Sequence, residues 1–406
     1  MNLKQIGILI AIVIVVGGAG WILHNRRNSG WSTPSAEVGK KLLGDFSVND
    51  VAQIDIHHGS NELDLVKKDD LWRVRQREDY PANFSQISGF LIKARDLKII
   101  QSEEIGQSQL GRMELAPGQG SNAAIVIDFK DQNGKPMRSL LLGKKHLQQA
   151  PAGQNQMGGD GGYPDGRWVK VGTNSSNVAL ISDPLDNIDT DADQWINKDF
   201  FKVEKPKSIE VDFGVETNSW KLTRASESAD WKLADAKPGE ELDSSKSSGV
   251  TSPFSSPSFT DVLPGSKLNA SGTNKLTTIK IHTFTGFDYL VTVGPKVNDN
   301  YLMTVAVNAQ FPKERVAGKD EKPADKTKLD KEYADAKQKL GDKLKQEQSY
   351  EKWIYTVPTW VVDPVLKHRD ELLAEKKKEE PKESTSTTEK SAGTNQLRAA
   401  EPAAAH

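Results

Sequence analysis

The chain has 406 residues, with 54 Lys and Arg against 56 Asp and Glu and a formal net charge of −2. Charges this evenly balanced supply no basic field for a nucleic acid, which argues against that class of partner. Cysteine is absent, which removes disulfides, thiolate metal sites and a lipid-modified N-terminal cysteine, and the length suits about two ordinary domains.

Residues 6–23, IGILIAIVIVVGGAGWIL, carry no charge. As a helix they would span roughly 27 Å at ~1.5 Å per residue, close to the ~30 Å hydrocarbon core of a bilayer. The stretch is read as a membrane anchor containing Ile6, Leu9, Ile12, Val15, Trp21 and Leu23, within an N-terminal unit 1–27. A cleaved signal peptide competes with this reading, because Gly18 and Gly20 are small enough for a cleavage site. Trp21-Ile22-Leu23 prolongs the apolar run, and Trp21 suits a membrane interface, which favours retention. Lys4 on one side faces Arg26 and Arg27 on the other, so charge alone does not orient the span. Residues 28–47 are a polar linker containing Gly and Pro.

A first unit is assigned to 48–203. QIDIH (53–57) and ELDLV (62–66) alternate with the period of half-buried strands across the turn His58-Gly59-Ser60-Asn61, and Trp72 and Val74 add a third strand. Ile87, Phe90, Leu91, Ala94 and Leu97 recur every three or four residues, which predicts a helix over 85–97 capped by Asn83 or Ser85 and laid on the sheet. AIVIDF (124–129) and 137–142 flank Asn133-Gly134, a strong hairpin signal, and further strands are predicted at 167–171 and 178–181. The long Gly-rich loop 149–166 between them, with Gly158, Gly159, Tyr163 and Asp165, is the candidate binding loop; a solvated excursion is the plainer alternative.

Residues 178–211 form a joint. They read as a strand, an Asp-rich helix opening at Asp183-Pro184, a polar bend, and a new strand at Ile209. Beyond it, in a second unit 204–374, the order recurs. Ile209-Glu-Val parallels Ile54-Asp-Ile, Trp220-Lys-Leu parallels Leu63-Asp-Leu, and Trp231-Lys-Leu parallels Trp72-Arg-Val. The hairpin 276–293 repeats 124–142 down to its closing glycine, Gly294 for Gly143, and strands at 301–307 and 353–357 follow. A helix over 361–373, with Asp363-Pro364, stands as counterpart to the joint helix. Residues 311–352 are a Lys-rich helical insertion with a stripe of Leu329, Tyr333, Ala336, Leu340 and Leu344, and 375–406 is a low-complexity tail read as disordered.

Sites with chemistry were sought along the chain. Gly143-Lys144-Lys145 lacks the spacing and hydroxyl of a phosphate loop. Asp189, Asp191 and Asp193 alternate like a calcium loop, but Gln194 and Phe200 stand where Gly and Glu are needed. His57 and His58 are neighbours on a strand and point to opposite faces. Trp72 and Trp231 are read as core, with an aromatic sugar platform as the alternative. No catalytic residue, cofactor or metal site is assigned, and the chain is read as a non-enzyme.

With these elements placed, the sequence resembles the bacterial family known as domain of unknown function 4340. The likeness rests on the apolar N-terminal span, the Ile54…Leu65…Trp72-Arg-Val meander, the Leu140-Leu-Leu-Gly143 strand, and Asp193-Gln-Trp-Ile-Asn-Lys-Asp-Phe-Phe201 leading into Ile209. The resemblance implies a single-pass protein of the inner membrane with a periplasmic body, associated with ABC-type export components of the gliding-motility kind. The expectation is therefore an α+β protein: an N-terminal transmembrane helix, two related antiparallel sheet and helix units from an internal duplication, and a disordered tail. Its expected role is that of an accessory or scaffold protein for ABC-type transporter subunits or other envelope proteins. A periplasmic ligand- or cell-wall-binding module is the alternative.

Overall fold

The computed structural model describes residues 37–118, 120, 122–148, 163–173, 175–265, 268, 276–317 and 321–375. The N-terminal span, Gly158, Gly159 and the tail from 376 onward lie outside the described residues. Among the described residues no helix is long and apolar enough to cross a membrane.

Period-two alternation builds the first sheet. β1 (Gln53–His58), β2 (Asn61–Lys68) and β3 (Leu71–Val74) form the meander, closed by a short β4 (Tyr80–Pro81). Helix α1 (Phe84–Asp96) follows, its first turn capped by the Asn83 side-chain Oδ1 accepting from the Gln86 N–H. Its stripe of Ile87, Phe90, Leu91 and Ala94 is buried, and Phe90 lies 5.7 Å from Phe129 and 6.2 Å from Trp195. After β5 (Ile99–Glu104) and a 3-10 segment, Gln107–Met113, come β6 (Ile125–Lys130), β7 (Pro136–Gln148), β8 (Tyr163–Val171) and β9 (Asn177–Ile181). The strand order is β4-β3-β2-β1-β6-β7-β8-β9-β5, antiparallel throughout.

A single turn of helix, α2 (Ala192–Trp195), lies in the connector to the second sheet. There β10 (Pro206–Asp212), β11 (Trp220–Thr223) and β12 (Lys232–Leu233) precede the one-turn α3 (Ser244–Ser247). They are followed by β13 (Asp261–Pro264), β14 (Thr277–Thr283), β15 (Phe287–Val297), β16 (Asn300–Ala309), the 23-residue α4 (Lys326–Gln348), β17 (Trp353–Pro358) and α5 (Thr359–Val362). The order is β12-β11-β10-β14-β15-β16-β17-β13. Apart from the extra edge strand β4, the two sheets have the same order, including the strand after the meander that crosses to the far edge.

Both sheets contribute to one hydrophobic core, running from Ile54, Ile127 and Leu140 to Ile209, Val291 and Tyr355. The seam is aromatic. Tyr80 of β4 meets Trp353 at 4.7 Å, Phe259 at 6.2 Å and Tyr355 at 6.5 Å, and Phe200 of the connector meets Tyr355 at 4.4 Å. Arg77 closes it with two bonds of 2.7 Å to the carboxylate of Asp261. A satellite core of Leu110, Leu115, Ala124, Leu141 and Val178 covers the other face of the first sheet.

Two predicted helices are corrected. Between Asp183 and Phe201 only α2 is helical, because local side chains capture the backbone N–H groups a helix needs. Asp183 accepts from Leu185, Asp189 from Asp191 and Asn197 from Asp199, and Leu185 adopts φ 49°. The predicted helix over 361–373 is likewise absent. α5 starts earlier and ends at Val362; Pro364 has no N–H to continue the helical ladder, and Arg369–Leu372 forms a separate 3-10 turn. The insertion helix α4 exists and packs back on the second sheet. Leu340 and Leu344 reach the core, and Glu347 is buried, accepting from the Lys202 N–H at 2.9 Å and the Tyr289 hydroxyl at 2.8 Å.

Candidate functional site

The candidate site is built on a kink in the first sheet. Opposite β8, the β7 register slips between Leu142 and Lys145, a β-bulge centred on Gly143 and Lys144. Bulges bend a strand and re-aim its side chains. Gly143 is required there: a Cβ would lie 2.4 Å from the Met113 carbonyl oxygen and 2.6 Å from the Leu115 side chain. Only glycine lets the segment after Gln107–Met113 cross so close over the strand.

Beyond the crossing lies a basin of about 560 Å³ lined by Gln109, Arg112, Met113, Lys144, Lys145, His146, Leu147 and Trp168. Trp168 and Met113 join the satellite core and make an apolar floor. Four basic side chains stand around it. Lys145 is paired with Asp186, and His146 meets Asp165 at 2.6 Å through Nδ1. Lys144 and Arg112 have no side-chain ion pair among the described residues. Behind the floor Arg167 is buried, its guanidinium donating to the carbonyls of Gly143 at 2.8 Å, Leu185 at 3.2 Å and Pro184 at 3.3 Å. Burial lowers its pKa, opposed by the charges of Asp186 and Glu114. It ties the bulge to the start of the connector.

Among the residues predicted for the binding loop, Tyr163 is 79% exposed at the start of β8, and Asp165 reaches the basin through His146. Gly158 and Gly159 lie outside the described residues. Arg112, Lys144, Lys145, His146 and Trp168 went unread as a group. The Lys144-Lys145-His146 run after Gly143 was the visible signal, but it reads in the sequence only as a failed phosphate loop, and Gly143, expected to close its strand, lies inside β7. Arg112 and Trp168 are brought to it by the fold alone.

A second groove, of about 800 Å³, lies on the connector side of the first sheet, between Leu71, Trp72, Phe84 and residues Asn197–Asp199. Leu71 and Phe84 are exposed, whereas Trp72 is buried as core. Lys198 beside it donates to the Thr260 carbonyl, and burial holds its amine below the ordinary lysine value despite Asp193 and Asp261. Trp231 is half-buried under the Arg224 guanidinium, 4.8 Å from its ring. His368, Asp370 and Glu371 cluster within 4.8 Å, but His368 and Glu371 form the capping box of Arg369–Leu372, with Asp370 in the same turn, which accounts for their approach.

No curated protein and no solved structure matches the chain. A family comparison matches residues 72–276, half of the sequence, to Domain of unknown function (DUF4340). The matched span begins on β3, crosses the connector and ends just before β14, so it takes in parts of both sheets, and the chain belongs to the DUF4340 family.

Proposed function

We propose that this protein is a membrane-tethered, periplasmic, non-enzymatic accessory protein whose two-sheet body braces an ABC-type transport complex of the inner membrane. The observation that carries this reading is the single core running through both sheets, sealed by the Tyr80 aromatic seam and the Arg77–Asp261 pair. A body joined in this way transmits position from one sheet to the other, as a brace must. The point of attachment supports the same reading. The second half of the predicted linker is laced to the outer edge of the first sheet, with the Gly39 N–H donating to the Ile99 carbonyl and the Leu42 N–H to the Leu97 carbonyl. An anchor at 6–23 would thus pull on a sheet edge. The shared strand order supports reading the two sheets as an internal duplication, with the second unit carrying α4 as an addition.

The localisation is tested by Ser384→Cys, since the chain has no other cysteine. Labelling of spheroplasts by an impermeant maleimide is expected, and protection until lysis places the body in the cytoplasm. The partner is tested by cross-linking in membranes followed by purification in mild detergent. Repeated recovery of the protein without any transporter subunit rejects the scaffold role. A second reading, a periplasmic ligand- or cell-wall-binding module, is favoured by the basin around Trp168, and a tight ligand must then raise the melting temperature.

A further inference from the structure

The two sheets share the bulge but not its chemistry. Opposite β16, β15 slips between Val293 and Lys296, just as β7 slips between Leu142 and Lys145. Gly294 takes the place of Gly143, and Leu268 crosses over it as Leu115 crosses over Gly143. Superposing the registers sets Lys144, Lys145 and His146 against Pro295, Lys296 and Val297, and Trp168 against Leu302. The backbone device is therefore common to both sheets. Lys296 keeps the cation of Lys145, but Lys144, His146 and the indole belong to the first sheet alone, together with Arg112 from the segment that covers it.

We propose that the basin of Arg112, Lys144, Lys145 and His146 around Trp168 binds a phosphate group attached to an apolar or sugar moiety. This names the ligand chemistry of the ligand-binding reading and does not depend on a transporter partner. Three features support it. Lys144 and Arg112 have no side-chain ion pair among the described residues, so a ligand anion would not have to displace a carboxylate from them. A guanidinium and an ammonium facing one cavity match phosphate, the former as a planar fork and the latter as a point charge. The Trp168 and Met113 floor offers the rest of the ligand an apolar and aromatic surface. Asp186 and Asp165 hold Lys145 and His146, leaving Lys144 and Arg112 to make the primary contact.

The test uses the full chain in a nonionic detergent and isothermal titration calorimetry with three probes: inorganic phosphate, short-chain phosphatidylglycerol below its micellar concentration, and short-chain phosphatidylcholine as the zwitterionic control. Saturable binding of phosphatidylglycerol well above the control and above inorganic phosphate supports a lipid headgroup as the source. Equal binding of inorganic phosphate supports a free phosphorylated compound. In either case the double substitution Arg112→Gln/Lys144→Gln is expected to weaken binding about 10-fold or more, since a bond to a charged group contributes roughly 1.5–3 kcal/mol and 1.4 kcal/mol is tenfold. Both side chains are exposed, so the variant should fold, which its unchanged melting temperature without ligand checks. Lys296→Gln, at the matching position of the second sheet, should leave binding intact. No saturable phosphate binding, or equal binding by the double variant, overturns the proposal. If cell-wall fragments still raise the melting temperature, the ligand-binding reading survives and only the phosphate chemistry fails.

Discussion

The first and second sheets solve the same problem with opposite charge arrangements. On the face away from the core, Asp64, Asp55 and Asp128 stand abreast across β2, β1 and β6. At the matching positions of β11, β10 and β14 stand Lys221, Glu210 and Lys280. Glu210 accepts from Lys221 at 2.9 Å and from Lys280 at 3.0 Å, a fully matched ladder. In the first sheet Asp55 is held by Gln53 and Lys130, and Asp64 by Arg75 at 3.3 Å, all recruited from outside the row. Like charges directly opposite destabilise a sheet, so the first sheet needs these outside partners where the second needs none. The same backbone plan thus tolerates very different surfaces, and local chemistry rather than topology distinguishes the two units.

The largest expected break in the symmetry is at the bulge glycines. Gly143→Ala drives a methyl to 2.4 Å from the backbone oxygen of Met113, which cannot rotate away, and should cost about 3 kcal/mol. Gly294→Ala meets the Leu268 side chain at 3.2 Å, which can shift, and should cost under ~1 kcal/mol. Urea denaturation of both variants decides the matter; equal losses would mean that the two crossings constrain their glycines alike.

The connector is next. Glu347 of α4 bonds the Lys202 N–H and Tyr289 hydroxyl while 4% exposed, and burial raises its pKa. Glu347→Ala leaves the part-buried Lys202 N–H and the Tyr289 hydroxyl without their acceptor and should cost about 2 kcal/mol. Since no counterpart of α4 is found among the described residues of the first sheet, hydrogen exchange should quicken at residues 202–204 and along β15, leaving β1 and β6 unaffected. A uniform increase would refute α4 as a local clamp. At the seam, Arg77→Gln should cost roughly 1–2 kcal/mol, because it removes a bidentate pair that is only partly screened from water. Combined with Asp261→Asn in a double-mutant cycle, it should show coupling between the sheets; simple additivity would deny that the pair joins them.

Much of the strand plan was legible in the sequence, because alternation at Ile54/Ile56, Ile127/Phe129 and Ile279/Ile281 reports a half-buried strand directly. Helix α1 was equally plain from its stripe and Asn83. The helices at 183–201 and 361–373 were misread, since apolar spacing there says nothing of the Asx bonds at Asp183, Asp189 and Asn197 or of the stop at Pro364. β5 and β13 escaped notice because each sits at a sheet edge, half exposed, with little alternation in IIQSEE or DVLP. The basin was invisible for another reason. Arg112 and Trp168 are 56 positions apart, and only the crossing over Gly143 brings them together.

The smallest expected effect bears most directly on the ladder comparison. Asp128→Lys copies Lys280 into the first sheet, gives Asp55 a cation abreast, and should raise stability by up to ~1 kcal/mol. The pH dependence of the two ladders should differ in sign. Burial and the charges of Asp55 and Glu62 raise the pKa of Asp64, so the folded state holds its proton more tightly than the unfolded chain. Stability from this group falls as pH rises from the ordinary aspartate value through the raised one. Glu210 is the reverse. Its bonds to Lys221 and Lys280 lower its pKa, so its contribution is full above the ordinary glutamate value and is lost as pH falls through the lowered one. Measured across about pH 2 to 7, urea midpoints of Asp64→Asn should lose the decline on the rising side, and those of Glu210→Gln the loss on the acid side. If the two variants instead parallel the wild type, the ladders are screened by solvent, and the contrast between the sheets lies only in their bulges.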